Sequence, residues 1–287
     1  MDFGVFFANA GPFSQPDVFE TLVRVAEDVG MESLWVVEHV VVPVGYESRY
    51  PYSPDGKMPG PEGSPISDPL VALGYAAAIS DRLKLATGIV ILPQRHPFYV
   101  AKEFASLDVL SKGRAIMGVG IGWLEEEFDA LGVPFSERAA RTEESVAAIR
   151  SLWGDEPSAF DGQFYRWNAV HSLPKPVQKP GVPVVVGGHV DGAARRAARI
   201  GDGFFPAKGG LAGLPPLLEA MRHECAEVGR DPAEIEITTG AESLDLDNIR
   251  RHQDLGVSRL VLPPPGFDSD ALRRGFESFA DSVIAKL

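Results

Sequence analysis

A carboxylate and an imidazole stand side by side at Glu38-His39, where the apolar run Leu34 to Val37 ends. Histidine exchanges a proton near neutral pH, or donates a hydrogen bond to a ring that becomes anionic. The bland alternative is a histidine that satisfies backbone groups at a loop entrance. Gly187-Gly188-His189, following Val182 to Val186, is a different signal. Bare backbone there lets a ligand approach, and the helix that follows offers free N–H groups and a positive dipole end to an anion. Arg195, one turn into that helix, adds charge; tight-turn chemistry accounts for the diglycine equally well. The run Gly118-Val119-Gly120-Ile121-Gly122-Trp123 lacks the G-x-G-x-x-G spacing of a dinucleotide fingerprint and reads as a bare wall against a ring system. Trp123 and Phe128 read as core, and Glu125, Glu126 and Glu127 as a solvated helix start. Arg95 is expected to pair with a surface carboxylate, and His96, before Pro97, to serve helix entry. Scattered histidines without H-E-x-x-H spacing argue against a metal site, and the lack of G-x-S-x-G against a serine hydrolase of that type.

The elements that must hold these residues alternate. Phe3–Phe7 reads as a first strand. Pro16 opens a helix whose Val18, Leu22, Val25 and Val29 share a face, with Gly30 as its stop. Leu34–Val37 is a second strand, apolar throughout and so buried on both faces. A helix over Asp68–Ser80 and a strand over Leu83–Leu92 follow. A helix from Pro97 to Gly113 precedes a strand over Arg114–Val119 and a helix over Glu137–Trp153. The second half gives strands at Val182–Val186, Gly203–Pro206, Glu234–Thr239 and Val257–Leu262. Its helices are Asp191–Ile200, with Asp191 as N-cap, then Leu214–Val228, Leu244–Leu255 and Asp270–Lys286. Eight strand–helix units imply parallel strands and, at this length, favour a (β/α)₈ TIM barrel of the α/β class over a doubly wound sheet. Two interruptions stand out: a Pro/Gly/Tyr-rich loop over Val40–Ser67, read as a substrate lid, and a hairpin over Phe160–Trp167 turning at Asp161-Gly162. In such a barrel the strand ends carry the chemistry, which favours the functional reading of His39.

Composition agrees. The chain has 287 residues, 45% hydrophobic and 23% charged, with no composition shift to mark a domain boundary, so residues 1–287 read as one globular domain. Forty acids against 27 Lys and Arg give a net charge of −13, which disfavours nucleic-acid partners. No apolar run reaches a membrane span, and the first residues lack a signal-peptide pattern, so the expected setting is the cytoplasm. The lone Cys225 reads as a packed thiol.

Several stretches resemble the luciferase-like monooxygenase superfamily. They are Thr87-Gly88-Ile89-Val90-Ile91-Leu92-Pro93, Arg95-His96-Pro97, Gly118 to Trp123 with Glu127-Phe128, Pro174-Lys175-Pro176-Val177-Gln178, Gly187-Gly188 and Gly201-Asp202-Gly203. Within it the chain is most similar to the bacterial coenzyme F420-dependent oxidoreductases. The resemblance implies a TIM-like barrel, a homodimer, and a deazaflavin or flavin at the strand ends. It places a histidine matching His39 beside the ring, a non-prolyl cis peptide matching Gly88-Ile89 behind it, and the phosphate at a turn matching Val186, Gly187, Gly188 and His189. Phe7, Thr87, Gly120, Gly122 and Arg195 complete the expected cofactor-binding set, and Glu38 is expected to orient His39. Ile121 stands where bacterial luciferases carry an arginine for the FMN phosphate, which favours F420 over FMN. Trp123 stands where the F420-dependent sugar-phosphate dehydrogenases carry a catalytic glutamate, which disfavours that substrate class. The expected activity is hydride transfer between F420 and a small organic substrate. An FMN-dependent monooxygenase and a non-catalytic flavin-binding protein are the alternatives.

Overall fold

The computed structural model describes residues 1–287 apart from Glu62, Asp155, Gly209 and Glu242. Its strands are β1 (Asp2–Val5), β2 (Ser33–Val36), β3 (Lys84–Thr87), β4 (Val90–Ile91), β5 (Ala115–Gly120), β6 (Ser158–Asp161), β7 (Arg166–Val170), β8 (Val184–Gly187), β9 (Gly203–Phe205), β10 (Glu236–Gly240) and β11 (Val257–Leu262). The helices are α1 (Pro16–Asp28), α2 (Pro69–Ile79), α3 (Pro97–Leu110), α4 (Glu125–Leu131), α5 (Arg138–Gly154), α6 (Asp191–Ile200), α7 (Leu214–Val228), α8 (Leu246–Asp254) and α9 (Ser269–Ser282). Parallel pairing runs β1-β2-β3-β5-β8-β9-β10-β11 and returns from β11 to β1, with Asp2 opposite Arg259. The eight strands therefore close into a TIM barrel. β4 continues β3 along β5, and β6-β7 is the inserted antiparallel hairpin.

Local chemistry sets the ends of the elements. Proline opens α1, α2 and α3, where the missing N–H costs nothing, and Asp68 caps α2 by accepting from Leu70 and Val71. α6 begins at Asp191, but its N-cap is Val190; the Asp191 carboxylate binds Arg195 instead of the helix amides. The first strand stops at Val5 because Phe7 takes the left-handed conformation (φ 61°), which no strand accommodates. The third strand is broken by a cis peptide at Gly88-Ile89. The hairpin turn lies over 162–165, where the Glu144 carboxylate accepts the N–H groups of Gln163, Phe164 and Tyr165. His96 acts at helix entry, its Nδ1 accepting from Phe98 N–H, and Cys225 is buried.

The main core lies between strands and helices and includes Leu22, Leu34, Leu73, Phe104, Ile149 and Phe276. A smaller cluster of Trp35, Ala86, Ile116, Val185, Phe205 and Val261 fills the barrel itself. Beneath it, among the amino-terminal ends of the strands, Arg259 is 1% exposed and binds Glu32, Glu236 and the Thr238 hydroxyl. Arg259 also lies over the Trp35 ring. The lower end is thus plugged, and a ligand must enter from the carboxyl ends of the strands. No helix is long and apolar enough to cross a membrane, among the described residues.

Candidate active site

At the carboxyl end of β2 the chain turns into the long loop, and His39 lies there, 9% exposed in its side chain. Its Nδ1 is 2.9 Å from Glu127 Oε2 on α4. A carboxylate on Nδ1 favours the tautomer in which Nδ1–H donates, and leaves Nε2 without a partner among the described residues. Glu127 is itself held, because its Oε1 accepts Val40 N–H at 2.7 Å and Val41 N–H at 3.2 Å.

This corrects two expectations. Glu127 is not part of a solvated helix start; it is fully buried. The signal was present, since Leu124, Glu127, Phe128 and Leu131 fall on one helical face and Phe128 belongs to the core. Nor does Glu38 orient His39. Its Oε1 accepts from Arg95 Nε at 2.7 Å and from Nη2, and its Oε2 accepts Ile91 N–H. Burial pushes the Glu38 carboxyl up from its ordinary range, against the pull of Arg95. Arg95 also reaches Asp68 at 2.9 Å and Glu103 at 3.5 Å, so its partners are carboxylates as expected, but the first of them is buried.

The centre of the mouth is an apolar floor. Gly88 and Ile89 are half-buried between fully buried Thr87 and Val90, and Phe6 and Phe7 rise beside them with ring centroids 4.0 Å apart. Thr87 donates its hydroxyl to Gly118 O at 2.7 Å and so ties β3 to β5. The glycine wall has a different use from the one expected. A Cβ on Gly120 would lie 2.5 Å from Ile89 Cδ1, and one on Gly187 2.7 Å from Ile89 Cγ2. These glycines make room for Ile89, not for a ring directly. Gly122 (φ 78°) turns the chain against Ile91 and Phe128.

At the head of α6, Gly188 takes φ 136°, and its N–H donates to Phe205 O at 3.1 Å, so it is not a free donor. Val190 O accepts from Ala193 and Ala194, which leaves the amides of Asp191 and Gly192 as the open end of the helix among the described residues. Arg195 is committed to Asp191 at 2.8 Å and to Glu224 at 3.2 Å, and so does not serve an anion at the helix head. Val186 is buried in the sheet. Among the described residues the His189 Nδ1 is buried with no partner in good hydrogen-bond geometry, Pro206 of the β9 end being its nearest backbone partner, and both polar atoms of the Gln94 side chain after β4 are buried without one. Buried polar atoms left unpaired are uncommon, and at the mouth of the barrel they are open to a water, an ion or a ligand. A half-buried apolar floor, an imidazole at its edge and an amide-bearing helix head fit a flat ring with an anionic tail.

The loop over 40–67 is fastened, not loose. Asn9, which is fully buried, donates to Val37 O and Ser67 O and accepts Val37 N–H, clamping the two ends of the loop. Glu126 accepts Glu47 N–H at 2.7 Å and Ser48 N–H at 3.0 Å, while Ser48 Oγ accepts Glu125 N–H. The hydrogen bonds to Ser48 and the loop amides hold the Glu126 carboxyl down at about 2. Asn9 and Glu126 escape sequence reasoning because their partners are backbone groups, which carry no side-chain signature.

A model of the luciferase-like monooxygenase family matches residues 1–243. The chain belongs to that family. It is an oxidoreductase, with the family's barrel and with His39 and Gly88-Ile89 at the strand ends. An uncharacterized protein of Mycobacterium tuberculosis is 32% identical over 290 residues, 98% of this chain and 99% of its own. A protein of Kineococcus radiotolerans named as an F420-dependent glucose-6-phosphate dehydrogenase is 32% identical over 241 residues, 80% of this chain and 64% of its own. Two solved structures share the fold. The coenzyme F420-dependent tetrahydromethanopterin reductase of Methanopyrus kandleri has a TM-score of 0.76 at 19% identity, covering 99% of each chain. Monooxygenase RslO1 of Streptomyces bottropensis has a TM-score of 0.78 at 24% identity, covering 100% of this chain and 99% of its own.

Proposed function

We propose that this luciferase-like protein is an F420-dependent oxidoreductase that moves a hydride between the deazaflavin and a small organic substrate. The observation that carries this reading is the His39–Glu127 pair at the edge of the half-buried Gly88-Ile89 floor. Kinship with a relative named as F420-dependent supports the choice of cofactor, and Ile121 in the β5 loop brings no arginine for an FMN phosphate. Ile89 and Phe7 would hold the ring, and the head of α6 with His189 would hold the anionic tail. When bound, F420 supplies or accepts the hydride. His39 does the proton work: Glu127 locks Nδ1–H, so Nε2 gives a proton to the reduced substrate oxygen or takes one from an alcohol. Glu38 and Arg95 brace the start of the loop and leave His39 to Glu127.

Titration of the protein with F420, read as quenching of deazaflavin fluorescence, tests this directly. Saturable micromolar-or-tighter quenching, with FMN binding more weakly, is the expected result. Tighter FMN binding with oxygen uptake matching product would instead establish the monooxygenase reading.

A homodimer belongs to the same proposal. Val71 and Tyr75 on α2, with Phe98, Tyr99 and Leu110 on α3, are exposed (72%, 41%, 38%, 71% and 76%). An apolar face of this kind on adjacent helices suits a second copy. Sedimentation should give a dimer, and Tyr99→Asp a monomer; a wild-type monomer would remove this element.

A further inference from the structure

The substrate side of the site has its own chemistry, and the specificity it implies deepens the F420 reading and rests on it. Trp123 comes after the glycine run, and three rings meet it at steep angles: His39 with centroids 5.7 Å away, Tyr46 at 5.6 Å and Tyr50 at 5.2 Å. Tyr52 extends the cluster through Tyr50 at 5.3 Å. The tryptophan and the three tyrosines are all half-buried. The loop segment that brings Tyr46 and Tyr50 is pinned on both sides of Trp123, by Glu127 at Val40 and Val41 and by Glu126 at Glu47 and Ser48. The box therefore stands formed before anything binds.

Charge narrows what it accepts. The charged side chains that hold the box are the carboxylates of Glu126, on the loop amides, and Glu127, on His39 and the loop start. The guanidinium of Arg95 is committed to Glu38, Asp68 and Glu103. The loop's own cations, Arg49 and Lys57, are exposed, with Arg49 lying over Gly56. A phosphate monoester needs converging cations or amides, and the neighbourhood of Trp123 offers acids and rings. Burial, with Tyr52 beside it, pushes the Tyr50 hydroxyl up to about 12, so the wall stays uncharged at neutral pH.

We infer that the Trp123–Tyr46–Tyr50–Tyr52 box selects an uncharged substrate with a flat apolar body, a ketone or its alcohol, and turns away phosphorylated sugars. Offset and edge-on aromatic contact supplies the attraction. Reduction of the ketone takes one hydride from reduced F420 at the carbonyl carbon and one proton at the oxygen, and returns oxidised F420 and the alcohol.

The test uses the full chain with F420, with 2-acetonaphthone as the planar uncharged probe and glucose 6-phosphate as the anionic one. The expected kcat/KM favours 2-acetonaphthone by about a hundredfold or more. Equilibrium dialysis on the F420 complex reads binding apart from turnover. Trp123→Ala should weaken 2-acetonaphthone by about tenfold or more, and Trp123→Phe should stay within about threefold of wild type. Retained F420 quenching in both variants shows that they are folded. If F420 binds but glucose 6-phosphate is held or turned over as well as the ketone, or if Trp123→Ala binds the ketone like wild type, the inference is overturned while the cofactor reading stands. If F420 itself does not bind, the cofactor reading falls.

Discussion

Each end of the barrel buries a guanidinium against carboxylates, and the two clusters differ in how completely they are satisfied. At the lower end Arg259 has Glu32 at 2.7 and 2.9 Å, Glu236 at 2.6 Å and Thr238 at 3.0 Å, and Lys84 adds a further contact to Glu32. At the upper end the acids outnumber Arg95, and His39 Nε2, His189 Nδ1 and the Gln94 amide lack partners in good hydrogen-bond geometry among the described residues. A saturated network holds a structure closed, whereas an unsaturated one leaves bonds for a ligand to make. The same residue types thus serve stability at one end and, in the function proposed, binding and proton transfer at the other.

Substitutions at the two ends should separate these roles. The largest effect is expected from His39→Ala, which should lower kcat per folded molecule by about 10²–10⁴-fold. Because it also removes the side-chain partner of buried Glu127, a drop in unfolding temperature accompanies it, and His39→Gln, which keeps a donor there, should lose turnover with less loss of stability. Wild-type turnover in either variant would remove His39 from the mechanism. Arg259→Ala should do the reverse. It removes the buried guanidinium from partly buried Glu32, exposed Glu236 and the Thr238 hydroxyl, and should cost about 1–3 kcal/mol in denaturant unfolding, with kcat per folded molecule unchanged.

Glu127→Gln sharpens the comparison, because it keeps the shape of the upper cluster and removes the charge that fixes His39. A smaller loss in kcat, on the order of tenfold, is expected, with the pH–rate profile displaced and F420 affinity kept. Loss of folding without a change in the profile would make Glu127 merely structural.

How far the sequence discloses this depends on the kind of contact. α6, α7 and β11 lie where periodicity and flanking glycines put them, since those signals are local. The break in the third strand leaves no mark in the hydrophobic pattern over 83–92; the family resemblance anticipates its cis peptide at Gly88-Ile89, and the periodicity does not. His39 is readable from its place at a strand end, but its partner is not. Glu38 is adjacent in sequence and points to Arg95, while Glu127, 88 positions away, supplies the carboxylate. Arg195 looks free for an anion until the fold brings Glu224 of α7 beside it. Long-range side-chain pairing decided each of these, and spacing along one segment does not contain it.

The smallest expected effect is in acid. Burial alone would raise the Glu32 carboxyl, but Arg259, Lys84 and Ser33 bring it down to about 2, and Glu126 on the loop side is likewise held at about 2. Both groups have folded values below their ordinary value of 4.5, so their contribution to stability is complete above that pH. It is lost as pH falls towards 2. Unfolding measured between pH 6 and 2 should show this slope, and Glu32→Gln should flatten it at the lower end of the barrel; an unchanged slope would contradict the assignment.

A crystal structure of the chain grown with F420 and FMN offered together bears most directly on the central claim. The deazaflavin is expected at the carboxyl-end mouth of the barrel, beside His39 and over Ile89, with its tail at the head of α6. FMN in that place, or F420 bound anywhere else on the chain, would contradict it.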